Sequence, residues 1–294
     1  MICGLLYILF DLFIIMDSLR SKFVNSIDAV VYINLLKRKD RDERMKRVVS
    51  MFGNKVQRFE AIEHENGSIG CTRSHIAILK MAMDSDWKNI LILEDDVDLN
   101  ETIEGYEVLD NLMSKPYDVI LLGGAYTSIH RDNYKLLFSC GTFSYLINRS
   151  YFSTLYSNFI SGLELLEHTH NHLYYSVDRY WGSLMEADNW YCVAPNIFYH
   201  TDDYSNISHN VRKLDPKEYL KNSVKIKKAT WGYGILTADV TDIVNKLPTH
   251  LECKLTPELL NNIDPYPNNR KVLIVEKIDG SFQIEFENNK LFLC

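Results

Sequence analysis

The run Asn89-Ile90-Leu91-Ile92-Leu93 is apolar at nearly every position and stops at three adjacent acids, Glu94-Asp95-Asp96. A strand without polar alternation is buried on both faces, so it belongs in a sheet covered by helices on each side. Such sheets are mainly parallel and bind ligands outside the carboxyl ends of their strands. Three carboxylates at one such end repel one another, and a cation or solvent must offset that repulsion. Oxygen ligands suit Mg²⁺ or Mn²⁺, and a cation held there could neutralise a diphosphate. For the triplet alone, a solvated acidic loop is an equal alternative.

The flanking sequence repeats a strand and helix alternation. Ala29 to Leu35 reads as a first buried strand. Asp40 to Phe52 places Met45, Val48, Val49 and Phe52 on one helical face and ends at Gly53. Lys55 to Ala61 is a short second strand, and Thr72 to Asp84 a helix with Thr72 or Ser74 as N-cap. Beyond the acids come a helix from Thr102 to Met113 and strands at Tyr117–Leu122, Lys135–Ser139, Thr142–Ile147 and Trp190–Phe198. Helices are expected at Tyr151–Phe159 and Leu173–Met185. The predicted class is α/β with a mainly parallel central sheet. After the polar stretch Asn210–Lys228 the texture becomes β-rich, with a hairpin of Lys271–Glu276 and Phe282–Phe286 around Asp279-Gly280, and a further strand at Leu291–Leu293 after Asn288-Asn289. This predicts four segments: an N-terminal extension 1–27, a main domain 28–210, a linker 211–228 and a small mainly β domain 229–294.

With 294 residues, 46% of them hydrophobic, the chain can fill two cores. Its formal net charge of -7 argues against a nucleic-acid partner, which needs a basic surface. The six cysteines are scattered, without a C-x-x-C pair, and specify neither a zinc site nor a disulfide framework. Sequons at Asn66, Asn100, Asn148 and Asn206 would matter only in a secretory lumen. The apolar residues 1–16 are interrupted by Asp11 and are shorter than the roughly 20 residues of a spanning helix. Three readings stay open for them: a signal or anchor, an extension preceding a start at Met16, or ordinary structure. A start at Met16 would leave a soluble cytoplasmic chain, and a signal or anchor would direct it to the secretory lumen.

Three motifs carry a resemblance. Tyr32-Ile33-Asn34-Leu35-Leu36-Lys37-Arg38-Lys39-Asp40-Arg41-Asp42-Glu43-Arg44-Met45, Gly67-Ser68-Ile69-Gly70-Cys71-Thr72-Arg73-Ser74-His75-Ile76-Ala77-Ile78-Leu79-Lys80 and Ile92-Leu93-Glu94-Asp95-Asp96-Val97 resemble, in order and spacing, the motifs of glycosyltransferase family 25, the lipooligosaccharide and procollagen galactosyltransferase group. Gly141–Asn148, Ser176-Val177-Asp178 and Ser205-Asn206-Ile207 extend it more faintly, with Asn206 where the family often has Asp. The resemblance implies a GT-A-like nucleotide-sugar-binding fold over about Asp28–Asn210, a UDP-sugar donor, Mn²⁺ or Mg²⁺, and transfer of a hexose such as galactose or glucose, with inversion, to a glycan or protein hydroxyl.

On that basis Asn34, Leu35 and Arg38 would meet the donor nucleotide. For Arg41 and Arg44 a solvated helix face is an equal reading. Ser74 and His75, taken to open a helix, would face the diphosphate. Glu94, Asp95 and Asp96 would form the metal site, Asp96 foremost, with Asp95 also on the donor, Glu94 able to orient its neighbours, and His200 completing the shell. Inverting displacement needs a general base, for which Asp178 is the candidate. His168, His170 and His172 invite a separate metal reading if they lie on a strand. Trp231 and Tyr233 suit a core more than a sugar platform. Two rival functions use the same residues: a metal-dependent phosphohydrolase, and a non-catalytic glycan-binding or adaptor protein.

Overall fold

The protein is described from a computed structural model, which covers residues 2–130, 132–201, 203–204, 211–212, 226–233, 236–247, 253–265, 267, 271–277, 282–287 and 290–291. The readings placed on Asn206, Asp279-Gly280, Asn288-Asn289, Phe292-Leu293 and most of the linker lie outside the described residues, as does the side chain of Tyr233.

In chain order the first region comprises α1 (Ile2–Ser26), β1 (Ala29–Asn34), α2 (Lys39–Val48), β2 (Val56–Glu60), α3 (Gly67–Met83), β3 (Asn89–Glu94), β4 (Val97–Leu99), α4 (Ile103–Met113), β5 (Val119–Ile129) and β6 (Leu136–Asn148). It continues through α5 (Phe152–Thr169), α6 (His172–Tyr175), α7 (Val177–Tyr180), α8 (Gly182–Met185), β7 (Trp190–Cys192) and β8 (Phe198–His200). Six strands form one sheet in the order β2-β1-β3-β6-β5-β7. β1 pairs in parallel with β2 and β3, and β5 with β7, whereas β6 runs antiparallel to both its neighbours.

The antiparallel insertion has a local cause. Only a short connection separates β5 from β6, and a parallel partner would need a crossover of a dozen or more residues. The two strands expected at Lys135–Ser139 and Thr142–Ile147 are therefore one long strand. Conversely, the strand expected over Trp190–Phe198 is divided into β7 and β8 around Pro195, which has no N–H to give a ladder. The helix expected over Leu173–Met185 is three short turns, because Ser176 is extended (φ -60°, ψ 152°) between the first two.

The unbroken apolar run of β3 has the expected consequence. Leu91 and Leu93 enter a core with Phe23, Met45, Phe52, Tyr106 and Leu109, while Ile90 and Ile92 enter the opposite core with Ile78, Leu79, Phe159, Trp181 and Trp190. Helices thus cover both faces. The second half of α1 takes part, since Phe23 is buried, as is Ile27 just after the helix, whereas Leu12, Phe13, Ile14 and Ile15 are exposed. No helix among the described residues is long and apolar enough to cross a membrane.

Beyond this region lie β9 (Asp203–Tyr204), β10 (Val211–Arg212), β11 (Ile226–Tyr233), β12 (Leu236–Asp239), α9 (Thr241–Lys246), β13 (Cys253–Lys254), β14 (Val272–Lys277), β15 (Phe282–Phe286) and β16 (Lys290–Leu291). A separate antiparallel sheet, β12-β11-β14-β15, packs on its own core around Trp231, Val244, Leu260 and Leu273. β11 starts at Ile226, before the end expected for the linker. Trp231 is fully buried and donates through Nε1 to the Ile263 carbonyl at 3.0 Å, a core role rather than a sugar platform.

Candidate functional site

β3 delivers Glu94, Asp95 and Asp96 to the carboxyl edge of the sheet, and each carboxylate finds a different environment. Asp95 points toward α2. Its Oδ2 accepts from Asn34 Nδ2 at 2.8 Å, and its Oδ1 lies 2.5 Å from Arg41 Nη1. Arg44 donates to the Asp95 carbonyl at 2.8 Å. Burial raises the Asp95 carboxyl above its ordinary range and Asp96 adds to the rise, with Arg41 only partly offsetting it.

Asp96 also meets Arg41, its Oδ2 3.5 Å from Nη1, and its other oxygen faces β8. The β4–β8 ladder pairs Val97 with His200, and this brings His200 Nδ1 to 3.2 Å from Asp96 Oδ1. The His200 ring also lies 4.1 Å, centroid to centroid, from Phe143. Burial acts against the Asp96 charge, yet His200, Arg41 and Arg44 outweigh it and hold this carboxyl well below the usual range. Glu94 accepts from Thr142 Oγ1 at 2.5 Å, and its Oε1 stands 3.6 Å from His75 Nε2. For Glu94 too burial raises the pKa, but the His75 and Thr142 contacts dominate and the net direction is down.

α3 does not begin at Thr72 or Ser74. Asn66 is its N-cap, accepting from the Ser68 N–H at 3.0 Å, so the helix starts at Gly67. Ser74 and His75 therefore lie two turns inside, and the helix-terminus role expected for them is withdrawn. The Ser74 hydroxyl donates to the Gly70 carbonyl at 2.8 Å and accepts from the Ile62 N–H at 2.9 Å. The His75 ring is fully buried, with Nδ1 2.6 Å from the Tyr145 hydroxyl.

Asn34 is likewise buried and braces the cluster. Besides Asp95 it contacts the Arg38 carbonyl, and its Oδ1 accepts from Arg58 Nε at 3.0 Å. Arg38 is paired with Asp40 at 2.7 Å, drawing that carboxyl down to about 2. Leu35 lines a cavity of about 190 Å³ together with Lys37, Arg41, His64, Cys71, Ser74, His75 and all three acids. A second cavity, of about 210 Å³, opens on the other side of the cluster. It is lined by Ser68, Gly141, Thr142, Ser176, Asp178, Arg179 and His200, and it shares Cys71, Glu94 and Asp96 with the first. Asp178 is fixed within it, its Oδ2 accepting from the Gly141 N–H at 3.1 Å and its Oδ1 from the Ser176 hydroxyl at 2.7 Å.

Residues 65–160 match the family described as Glycosyltransferase family 25 (LPS biosynthesis protein). The match is confined to this stretch, which is less than half of the chain. The match supports a transferase enzyme. The family 25 segment carries α3, β3, β4 and β6, hence Cys71, Ser74, His75, the three acids and Thr142; Asn34, Leu35, Arg38, Asp178 and His200 lie outside it. Solved structures similar to the chain include a glycosyltransferase involved in glycosylation of the major capsid of PBCV-1, at TM-score 0.41 and 11% identity over 67% of this chain and 98% of that one. The glycosyltransferase GlyE of Streptococcus pneumoniae TIGR4 gives 0.36 and 12% over 68% and 61%, and mouse xyloside xylosyltransferase 1 gives 0.34 and 10% over 62% and 87%. No curated protein matches the chain.

The sequence allows Arg41 either a surface or a site role; the structure buries it against Asp95 and Asp96. The signal was available, since three adjoining acids demand cations and the first motif is the arginine-rich segment nearby. Thr142 and Tyr145 were not singled out, although both lie in the stretch Gly141–Asn148. The histidines 168, 170 and 172 do not lie on a strand but at the end of α5, around a left-handed His170 (φ 53°), and over the start of α6. They form no metal-binding group among the described residues.

Proposed function

We propose that the chain transfers a hexose, galactose or glucose, from a UDP-sugar to a hydroxyl of a glycan or protein acceptor, with inversion and with a divalent cation held by Asp96 and His200. The supporting observation is the pair of cavities that meet at Glu94 and Asp96, one for each substrate of a transfer reaction.

The residues fit a cation. Two ligand atoms about 2.1 Å from an octahedral ion stand roughly 3 Å apart, close to the 3.2 Å between Asp96 Oδ1 and His200 Nδ1. Asp95 fits less well, because Asn34 and Arg41 already engage both its oxygens. Bound Mn²⁺ or Mg²⁺ would supply Lewis-acid neutralisation of the diphosphate leaving group. In this reading Asp95 orients Arg41 and the strand end, while Leu35, Lys37 and His64 shape the donor cavity.

Asp178 takes the acceptor proton. Its two hydrogen bonds fix the carboxylate in the second cavity, and they leave lone pairs for an incoming hydroxyl. The C-terminal β domain positions the acceptor or a partner. Purified protein supplied with Mn²⁺, a panel of UDP-hexoses and candidate acceptors tests this reading. The expected outcome is a single preferred donor, an EDTA-sensitive glycoside product and an inverted anomeric centre by NMR; phosphoester cleavage indifferent to acceptor, or glycan binding without donor turnover, would overturn it.

A further inference from the structure

Cys71, His75 and Glu94 bring three ligand atoms within 4.8 Å of one another at the wall shared by the two cavities. We propose that they form a second metal site, distinct from Asp96 and His200, that binds a borderline-soft divalent cation such as Zn²⁺ through one sulfur, one nitrogen and one oxygen.

The geometry is built around the imidazole. Cys71 and His75 are four residues apart on α3, so both side chains project from one helical face. The His75 ring is fully buried, with Tyr145 on Nδ1 at 2.6 Å and the Phe159 ring edge-on at 6.3 Å. A metal-binding histidine characteristically has its second nitrogen held by a partner, which orients the ring; with Nδ1–H donating to the Tyr145 hydroxyl, Nε2 carries the free lone pair that a cation needs. Nε2, by contrast, is buried without a hydrogen-bond partner. It stands 3.6 Å from Glu94 Oε1, too long for a good hydrogen bond but suited to two ligands sharing one ion. Arms of roughly 2.0–2.2 Å at a tetrahedral angle place nitrogen and oxygen about 3.4 Å apart. Thr142 anchors the carboxylate at 2.5 Å.

The donor set selects the cation. Thiolate with imidazole and a carboxylate suits Zn²⁺ better than Mg²⁺ or Mn²⁺. Burial, and then Glu94, Asp178 and Asp96, push the Cys71 thiol well above its ordinary pKa, so without a cation it holds its proton. On binding, the S–H bond breaks, a metal–sulfur bond forms and the proton leaves to solvent. Because Cys71 and Glu94 border both cavities, the fourth coordination position would open to the cleft.

Co²⁺ titrated into the metal-free full-length chain tests the site, because a cobalt–thiolate bond gives a near-ultraviolet charge-transfer band that oxygen and nitrogen ligands do not. The band is expected in the wild type, in Asp96→Asn and in Cys140→Ser, and lost in Cys71→Ser. The Zn²⁺ affinity of His75→Gln is expected to fall by about 10-fold or more. No band in the wild type, or a band that survives Cys71→Ser, would overturn the proposal. Loss of the band in Asp96→Asn would also overturn it, by showing one shared site. The wild-type reading requires no variant to fold, and none of these readouts depends on sugar transfer.

Discussion

Arg41 reaches Asp95 at 2.5 Å and Asp96 at 3.5 Å from a side chain only 7% exposed, so two carboxylates share one buried guanidinium. Removing one partner of a buried ion pair leaves an uncompensated charge, at a cost of about 3–5 kcal/mol. Arg41→Leu is therefore expected to lose roughly that amount in urea unfolding, with Lys at this position recovering only part of it because it lacks the planar fork. The three acids also dictate how stability responds to pH. Asp96 is held below its unfolded value of about 3.9, so its stabilisation is complete above that pH and is lost as pH falls through the folded value. Asp95 is raised, so its contribution has the opposite sense: present below about 3.9 and lost as pH rises through its folded pKa. Unfolding of metal-free protein from pH 5 downward should consequently show a shallower acid loss in Asp96→Asn and a steeper one in Asp95→Asn.

Among the elements, β8 is the one that completes the candidate site, and Gly123 of β5 sets its distance. A Cβ at Gly123 would lie 2.1 Å from the Phe198 carbonyl oxygen, an impossible approach against backbone. Gly123→Ala is expected to push β8 outward, costing about 1–3 kcal/mol by overpacking and weakening Mn²⁺ binding as His200 moves from Asp96; unchanged Mn²⁺ affinity would argue against a ligand role for His200. How far these elements were legible depended on the range of the forces involved. β1, β3 and the acidic strand end were readable because unbroken apolar runs report burial directly. The helix expected from Thr72 starts at Gly67 instead, because the Asn66 side chain caps it there by accepting from the Ser68 N–H. The antiparallel entry of β6 depends on the closure between β5 and β6. The His200 contact depends on a ladder between residues about a hundred positions apart, so local pattern could only suggest it. For Arg41 the surface and site readings stay equal in the sequence because its partner Asp95 lies 54 positions away.

On the scale of the whole molecule, two cores clamp one sheet, and its carboxyl edge holds a cluster in which Asp95 is engaged by Arg41 and Asn34, Asp96 by His200, and Glu94 by Thr142. A third core, around Trp231, belongs to the C-terminal sheet, and among the described residues it contributes none to either cavity. The decisive experiment follows a labelled hexose from its UDP-sugar to acceptor, comparing wild type with Asp96→Asn at saturating Mn²⁺. Transfer by the wild type that chelation abolishes and the variant lacks, with Asp96→Asn still folded by circular dichroism, is the expected result. Equal transfer by both proteins, or transfer indifferent to chelation, would contradict a metal-dependent glycosyltransferase centred on Asp96.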